Sequence, residues 1–220
     1  IMHIGLQRLK SILMTSSATG MMGRSLKGYR LGAGELWRHS LAVGVVSEWL
    51  AQVLHYPDPE QAYVAGLLHD IGKLTIPVEI LGKSVQLEET EFDVIKDHPG
   101  AGYEMLKGIE FPCPVAQVVL QHHERINGSG YPGGLSGNDI LLEAKILGVA
   151  DVVDAMTSPR PYRQSFALDK VLHEISQNRG IRYDFSVVYA CLAVFNEKGF
   201  KFVEERYSNS KLFEEVLLKV

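Results

Sequence analysis

The sequence predicts an all-α fold, and three observations carry that expectation. Apolar residues recur at helical spacing along most of the chain, no convincing β-hairpin signal is present, and neither repeats nor low-complexity tracts interrupt the pattern. A length of 220 residues is enough to build a real core, and 46% apolar against 22% charged residues excludes a disordered chain.

Each element follows from its own stretch. The opening "IMHIGLQRLKSILM" has helical spacing but lacks the clean apolar core and small-residue cleavage site of a signal peptide. It begins inside a helix-like pattern, as a piece of a longer protein would. Residues 15–34, rich in glycine and serine, read as a loop, so residues 1–34 form a first segment. "ELWRHSLAVGVVSEWLAQVL" (35–54) sets Leu36, Ser40, Val43, Ser47 and Leu50 along one side of a helix. "PEQAYVAGLLHDIGK" (59–73) is a mostly apolar helix expected to stop near Gly72. "LEETEFDVIKDHP" (87–99) starts acidic, as a helix N-terminus prefers, and is expected to end at Pro99. "PVAQVVLQHHE" (114–124) carries proline at a first-turn position. "DILLEAKILGVADVVDAMTS" (139–158) is long, apolar and central. Helices around 167–176 and 184–199 complete a main domain of residues 35–199, and "KLFEEVLLKV" gives the tail, 200–220, a short amphipathic helix.

Composition narrows the function. A net charge of −4 supplies no basic patch, which argues against a nucleic acid polymer as partner. An anionic small substrate would need local positive charge, and metal ions can provide it. No run of about 18 apolar residues appears, so no membrane span is expected. Cys113 and Cys191 are too few for a disulfide framework and fit a reducing cytoplasm.

The chemistry gathers around histidines. Glu35 and His39 are one helical turn apart and project from one face. His69 and Asp70 end an apolar helix, His98 follows an acidic one, and His122 and His123 stand before a loop containing Gly128, Gly130, Gly133 and Gly134. Asp151 and Asp154 lie in an apolar helix, where a buried carboxylate is costly unless paired or metal-bound. Each feature alone has a plainer reading. Glu35 and His39 can form a surface pair, and His69–Asp70 can be a buried hydrogen bond between helices. Together they make the imidazole and carboxylate ligand set of Zn, Fe, Mn or Ni, with no thiolate. One carboxylate can bridge two cations, and Asp70 is the candidate. Adjacent residues point about 100° apart on a helix, so His122 and His123 can share an ion only where the helix ends. The glycine loop after them allows that.

"HDIGK" (69–73), His98, "HHE" (122–124), "GSGYPGGL" (128–135) and "VADVVDAMTSPRPYR" (149–163) together resemble an HD-GYP domain, in that family's motif order over roughly residues 35–195. The family belongs to the HD superfamily of metal-dependent phosphohydrolases. The resemblance implies an α-helical bundle, two or three divalent metal ions, commonly iron or manganese, and hydrolysis of cyclic di-GMP to linear pGpG or to GMP. Carried over by position, His39, His69, Asp70 and Asp151 would hold one metal, and Asp70, His98, His122 and His123 the second. Glu35 matches the extra carboxylate of three-metal members. Asp70 and Lys73 would be the catalytic pair. Lys73, Arg160 and Arg163 match positions that engage substrate phosphates, and Tyr131 would line the cleft. Residues 1–40 are more similar to the related HDOD domains, which often serve as signalling output modules.

The expected mechanism is phosphodiester cleavage by a water that the metals activate, with Lys73 neutralising phosphoryl charge. Two alternatives stand beside it. One is a catalytically silent output module that binds a signalling protein through the Gly-Tyr-Pro loop. The other is a phosphohydrolase of a different cyclic dinucleotide or nucleotide. Arg160 and Arg163 also have a plain reading as solvent-facing loop charge.

Overall fold

A computed structural model describes residues 35–83, 85, 87–158 and 164–197. The first segment with its HDOD-like reading up to residue 34, the tail helix, Arg160 and Arg163 lie outside the described residues. Among the described residues the α-helices are α1 (Glu35–Val53), α2 (Pro59–Leu68), α3 (Val78–Leu81), α4 (Glu89–Lys96) and α5 (His98–Leu106). They continue with α6 (Val115–Gln121), α7 (Leu142–Thr157), α8 (Leu168–Gln177) and α9 (Phe185–Glu197), and Ile71–Thr75 forms a 3₁₀ turn after α2. No strand occurs among them beyond two isolated bridges, and no helix there is long and apolar enough to cross a membrane. The all-α expectation holds.

Two helix boundaries differ from the sequence expectation. The helix expected to run to Gly72 ends at Leu68, because Asp70 leaves the helical path at φ −95°, ψ 8° and the chain tightens into the 3₁₀ turn. Pro99 does not end a helix but sits in the first turn of α5, where its missing N–H costs nothing. The acidic stretch is therefore two helices, α4 and α5, and His98 opens the second.

The core is apolar and gathers around α1, α2 and α7. Val43, Leu50, Val118, Ile146, Val153 and Val187 are wholly buried in it. The helices approach closely where side chains are absent. A Cβ added at Gly66 would lie 2.5 Å from the Gly44 Cα, so α1 and α2 cross backbone to backbone. A Cβ at Gly72 would collide with the His98 carbonyl, which seats the 3₁₀ turn directly on α5. These two crossings set the spacing of His39, His69, Asp70 and His98.

Candidate metal centre

Five helices deliver polar side chains to one buried point. His39 comes from α1, Asp151 and Asp154 from α7, and His98 from the start of α5. His69 with Asp70, and His122 with His123, follow the last turns of α2 and α6, where two consecutive side chains can turn toward one place. His69, Asp70, His98, His122 and Asp154 are buried almost completely, and Asp151 nearly so.

Three histidines are held alike. Nδ1 lies 2.6 Å from Gly66 O in His69, 2.7 Å from Ile95 O in His98 and 2.6 Å from Val119 O in His122. A carbonyl oxygen only accepts, so each Nδ1 carries the proton and donates it, and Nε2 of the neutral ring is a bare lone pair. Burial keeps these rings neutral. It lowers the pKa of His98 to about 4, lowers that of His69, and holds His122 well below the usual histidine value. The bare nitrogens face one another, with His98 Nε2 and His122 Nε2 3.4 Å apart. Two such lone pairs repel. Nitrogens each about 2.1 Å from a common ion would themselves stand about 3.0–3.4 Å apart.

His39 is held by a carboxylate instead. Its Nδ1 lies 2.6 Å from Asp154 Oδ2, while Nε2 lies 3.3 Å from His69 Nε2, 3.3 Å from Asp151 Oδ1 and 3.5 Å from Asp70 Oδ2. Burial opposes charge on this ring, but its bonds to Asp151 and Asp154 and the charge of Asp70 raise its pKa to about 9.

Asp70 stands between two groups. Its Oδ2 is 3.4 Å from His69 Nε2, and its Oδ1 is 3.4 Å from His98 Nε2. Oδ1 is buried and accepts no hydrogen bond. Burial disfavours the charge, yet His69, Lys73, His98 and His39 outweigh it and hold the carboxyl well below the usual range. Lys73 Nζ lies 2.6 Å from Oδ2.

The ligand atoms fall into overlapping trios, each within 4.8 Å: His39, His69 and Asp151; His98, His122 and His123; and, joining them, His69, Asp70 and His122. These His and Asp clusters can bind metal. The donor set fits a divalent cation, because it combines inward lone pairs with an orphaned buried carboxylate oxygen.

The structure brings together His39, His69, Asp70, His98, His122, His123 and Asp151, with Lys73 beside Asp70. Tyr131 joins from the glycine loop, its ring 4.7 Å from that of His123. Glu35 is the first residue of α1, and its side chain lies outside the described residues. Sequence reasoning gave no role to two residues. Asp154 orients His39, and its presence one turn beyond Asp151 in an apolar helix was the available signal. Glu124 is buried and bonds the loop backbone at Gly133 and Leu135, for which no sequence signal existed beyond its adjacency to His123.

Comparison with known proteins follows the same residues. Residues 18–187 match a family model described as HD domain. The cyclic di-GMP phosphodiesterase response regulator RpfG of Xanthomonas campestris is 43% identical over 159 residues, covering 71% of this chain and 42% of that protein. The 3′3′-cGAMP-specific phosphodiesterase 1 of Vibrio cholerae is 38% identical over 158 residues, covering 69% of this chain and 37% of that protein. The match thus spans about two fifths of the length of either relative. Among solved structures, Bd1817, an HDG"Y"P protein from Bdellovibrio bacteriovorus, superposes with a TM-score of 0.62 at 18% identity. That match covers 86% of this chain and 64% of the other, and it speaks to the fold. The family match takes in every candidate ligand position from His39 to Asp151, with the His69–Asp70 pair at their centre, and the chain belongs to the HD domain family.

Proposed function

We propose that the chain is a metal-dependent phosphodiesterase that hydrolyses cyclic di-GMP to linear pGpG, to GMP, or to both. One observation carries this reading: Asp70 presents one carboxylate oxygen to each of two imidazole groups, as a ligand shared by two ions must. His39, His69, Asp70 and Asp151 would hold one ion, and Asp70, His98, His122 and His123 the other. Glu35 would serve a third. Iron or manganese is the first expectation, and nickel or zinc also suits the imidazole and carboxylate set. When bound, the ions would supply Lewis-acid charge to a phosphodiester and a nucleophile at neutral pH.

The remaining work falls to the chain's own residues. Hydrolysis adds the oxygen of water to phosphorus, breaks the bond to a ribose oxygen and leaves a proton on that oxygen. Lys73, half-buried beside Asp70, supplies positive charge for the phosphoryl oxygens and a proton donor for the departing one. Asp154 keeps the Nε2 of His39 turned inward. Tyr131 lines the approach over His123, and Arg160 and Arg163 are assigned to substrate phosphates from their sequence positions. Pro132, Gly133 and Gly134 are exposed, which leaves the loop tip open to a signalling protein as well. The hydrolase unit is taken as residues 35–199, flanked by 1–34 and 200–220. A cytoplasmic setting agrees with Cys113 and Cys191 both being free.

The name of the Vibrio relative supports a second reading, in which 3′3′-cGAMP is the preferred substrate. Metal-loaded protein assayed against cyclic di-GMP, 3′3′-cGAMP and cyclic di-AMP decides between them. Preferred cleavage of cyclic di-GMP is the expected result. Preferred cleavage of 3′3′-cGAMP favours the second reading, and no cleavage of any of the three favours a silent output module.

A further inference from the structure

Glu124 directly follows the histidine pair, and it is only 6% exposed. A buried carboxylate is costly unless its oxygens are satisfied. Here Oε1 accepts from Gly133 N at 2.6 Å and Oε2 from Leu135 N at 2.9 Å. Both donors belong to the far limb of the glycine loop. The near limb is fastened to the same place, since Tyr131 N donates to His123 O at 3.3 Å. A Cβ at Gly130 would collide with the backbone of Glu124, so the loop lies directly on the end of α6. Arg125 does not draw the carboxylate away, because its Nη1 donates to His122 O at 3.2 Å and Glu124 O at 2.8 Å. Held on both limbs, Tyr131 rests its ring 4.7 Å from His123 at an interplanar angle of 31°.

We infer that Glu124 is a positioning residue, which pins the 128–135 loop and thereby holds Tyr131 over His123 as a flat wall for a nucleotide substrate. The inference rests on the phosphodiesterase reading for its substrate, and on the hydrogen bonds alone for its geometry. Glu124 is within two residues of His122 and His123 yet spends both oxygens on backbone N–H groups. It therefore acts on substrate affinity and leaves the metal set intact.

The test uses the metal-loaded full chain, comparing wild type, Glu124→Ala, Glu124→Gln, Tyr131→Ala and the Glu124→Ala/Tyr131→Ala double variant. Amide hydrogen exchange, metal content and steady-state kinetics are the readouts. Glu124→Ala should speed exchange in the 128–137 stretch roughly tenfold or more, while α7 keeps its protection. Metal content should equal that of wild type, and KM should rise about tenfold with a smaller change in kcat. Glu124→Gln should fall between, because its amide oxygen accepts from only one of the two N–H groups. Tyr131→Ala should raise KM by a similar factor, and the double variant should add little to either single change. Unchanged loop exchange in Glu124→Ala overturns the inference, as does metal loss in Glu124→Gln. If Glu124→Ala loses protection throughout the chain, Glu124→Gln carries the comparison on the same criteria. Absence of turnover in wild type would remove the proposed substrate, and the exchange and metal readouts would still decide the role of Glu124.

Discussion

Asp154 Oδ2 lies 2.6 Å from His39 Nδ1, although 115 residues separate them in the chain. The carboxylate accepts a hydrogen bond from Nδ1–H and thereby leaves Nε2 facing Asp70, Asp151 and His69. Asn at this position can offer its NH₂ to Nδ1 and so drive the ring proton onto Nε2, the wrong nitrogen for a ligand. Asp154→Asn should therefore weaken metal affinity about 10- to 100-fold while leaving helix content unchanged. Metal titration beside circular dichroism checks this, and wild-type affinity would remove the orienting role.

Lys73→Ala should separate charge neutralisation from metal binding. An ammonium cannot ligate a cation, so the ions should stay, while kcat falls by about a hundredfold. Elemental analysis and steady-state kinetics on the same preparation read both effects. A fully active variant would show that Lys73 serves only as a partner of Asp70.

The Gly44–Gly66 crossing should be intolerant of added volume. Gly66→Ala would place a methyl group 2.5 Å from the Gly44 Cα and force α1 from α2. Overpacking of this kind costs about 1–3 kcal/mol. Urea unfolding of the variant should show a lower midpoint, and an unchanged midpoint would mean the crossing relaxes freely.

The metal-free protein should be most stable near neutral pH. His98 has a folded pKa of about 4, below the ordinary histidine value of 6.5, so the unfolded chain binds more protons between those values and stability falls as pH drops through that window. His39 is displaced upward to about 9, so the folded chain holds its proton longer and stability falls as pH rises from 6.5 toward 9. His69 and His122, both lowered by burial, add to the acid limb. Urea midpoints measured in chelator across pH 4–9 should pass through a maximum close to 6.5. A monotonic profile would contradict the assignment of His39.

Much of this centre was legible in the sequence, and particular residues show why. His69 and Asp70 stood out because two polar groups ended an apolar helix, and the fold does bury them there. His122 and His123 required a helix end to point together, and α6 ends at Gln121. Pro99 misled because proline both stops and starts helices, and only the tertiary seat of the Gly72 turn on His98 shows which. The roles of Asp154 and Glu124 were opaque for another reason, although Asp154 itself stands out as a carboxylate in an apolar helix. Their partners are a side chain from α1 and the backbone of a loop, which periodicity does not reveal.

The central claim is that Asp70 is shared by two ions, and metal stoichiometry tests it most directly. Anaerobically prepared and reconstituted wild type should carry at least two transition-metal ions per chain, and Asp70→Ala should lose occupancy at both positions. Less than one ion in wild type, or loss of a single ion from Asp70→Ala, would contradict the account.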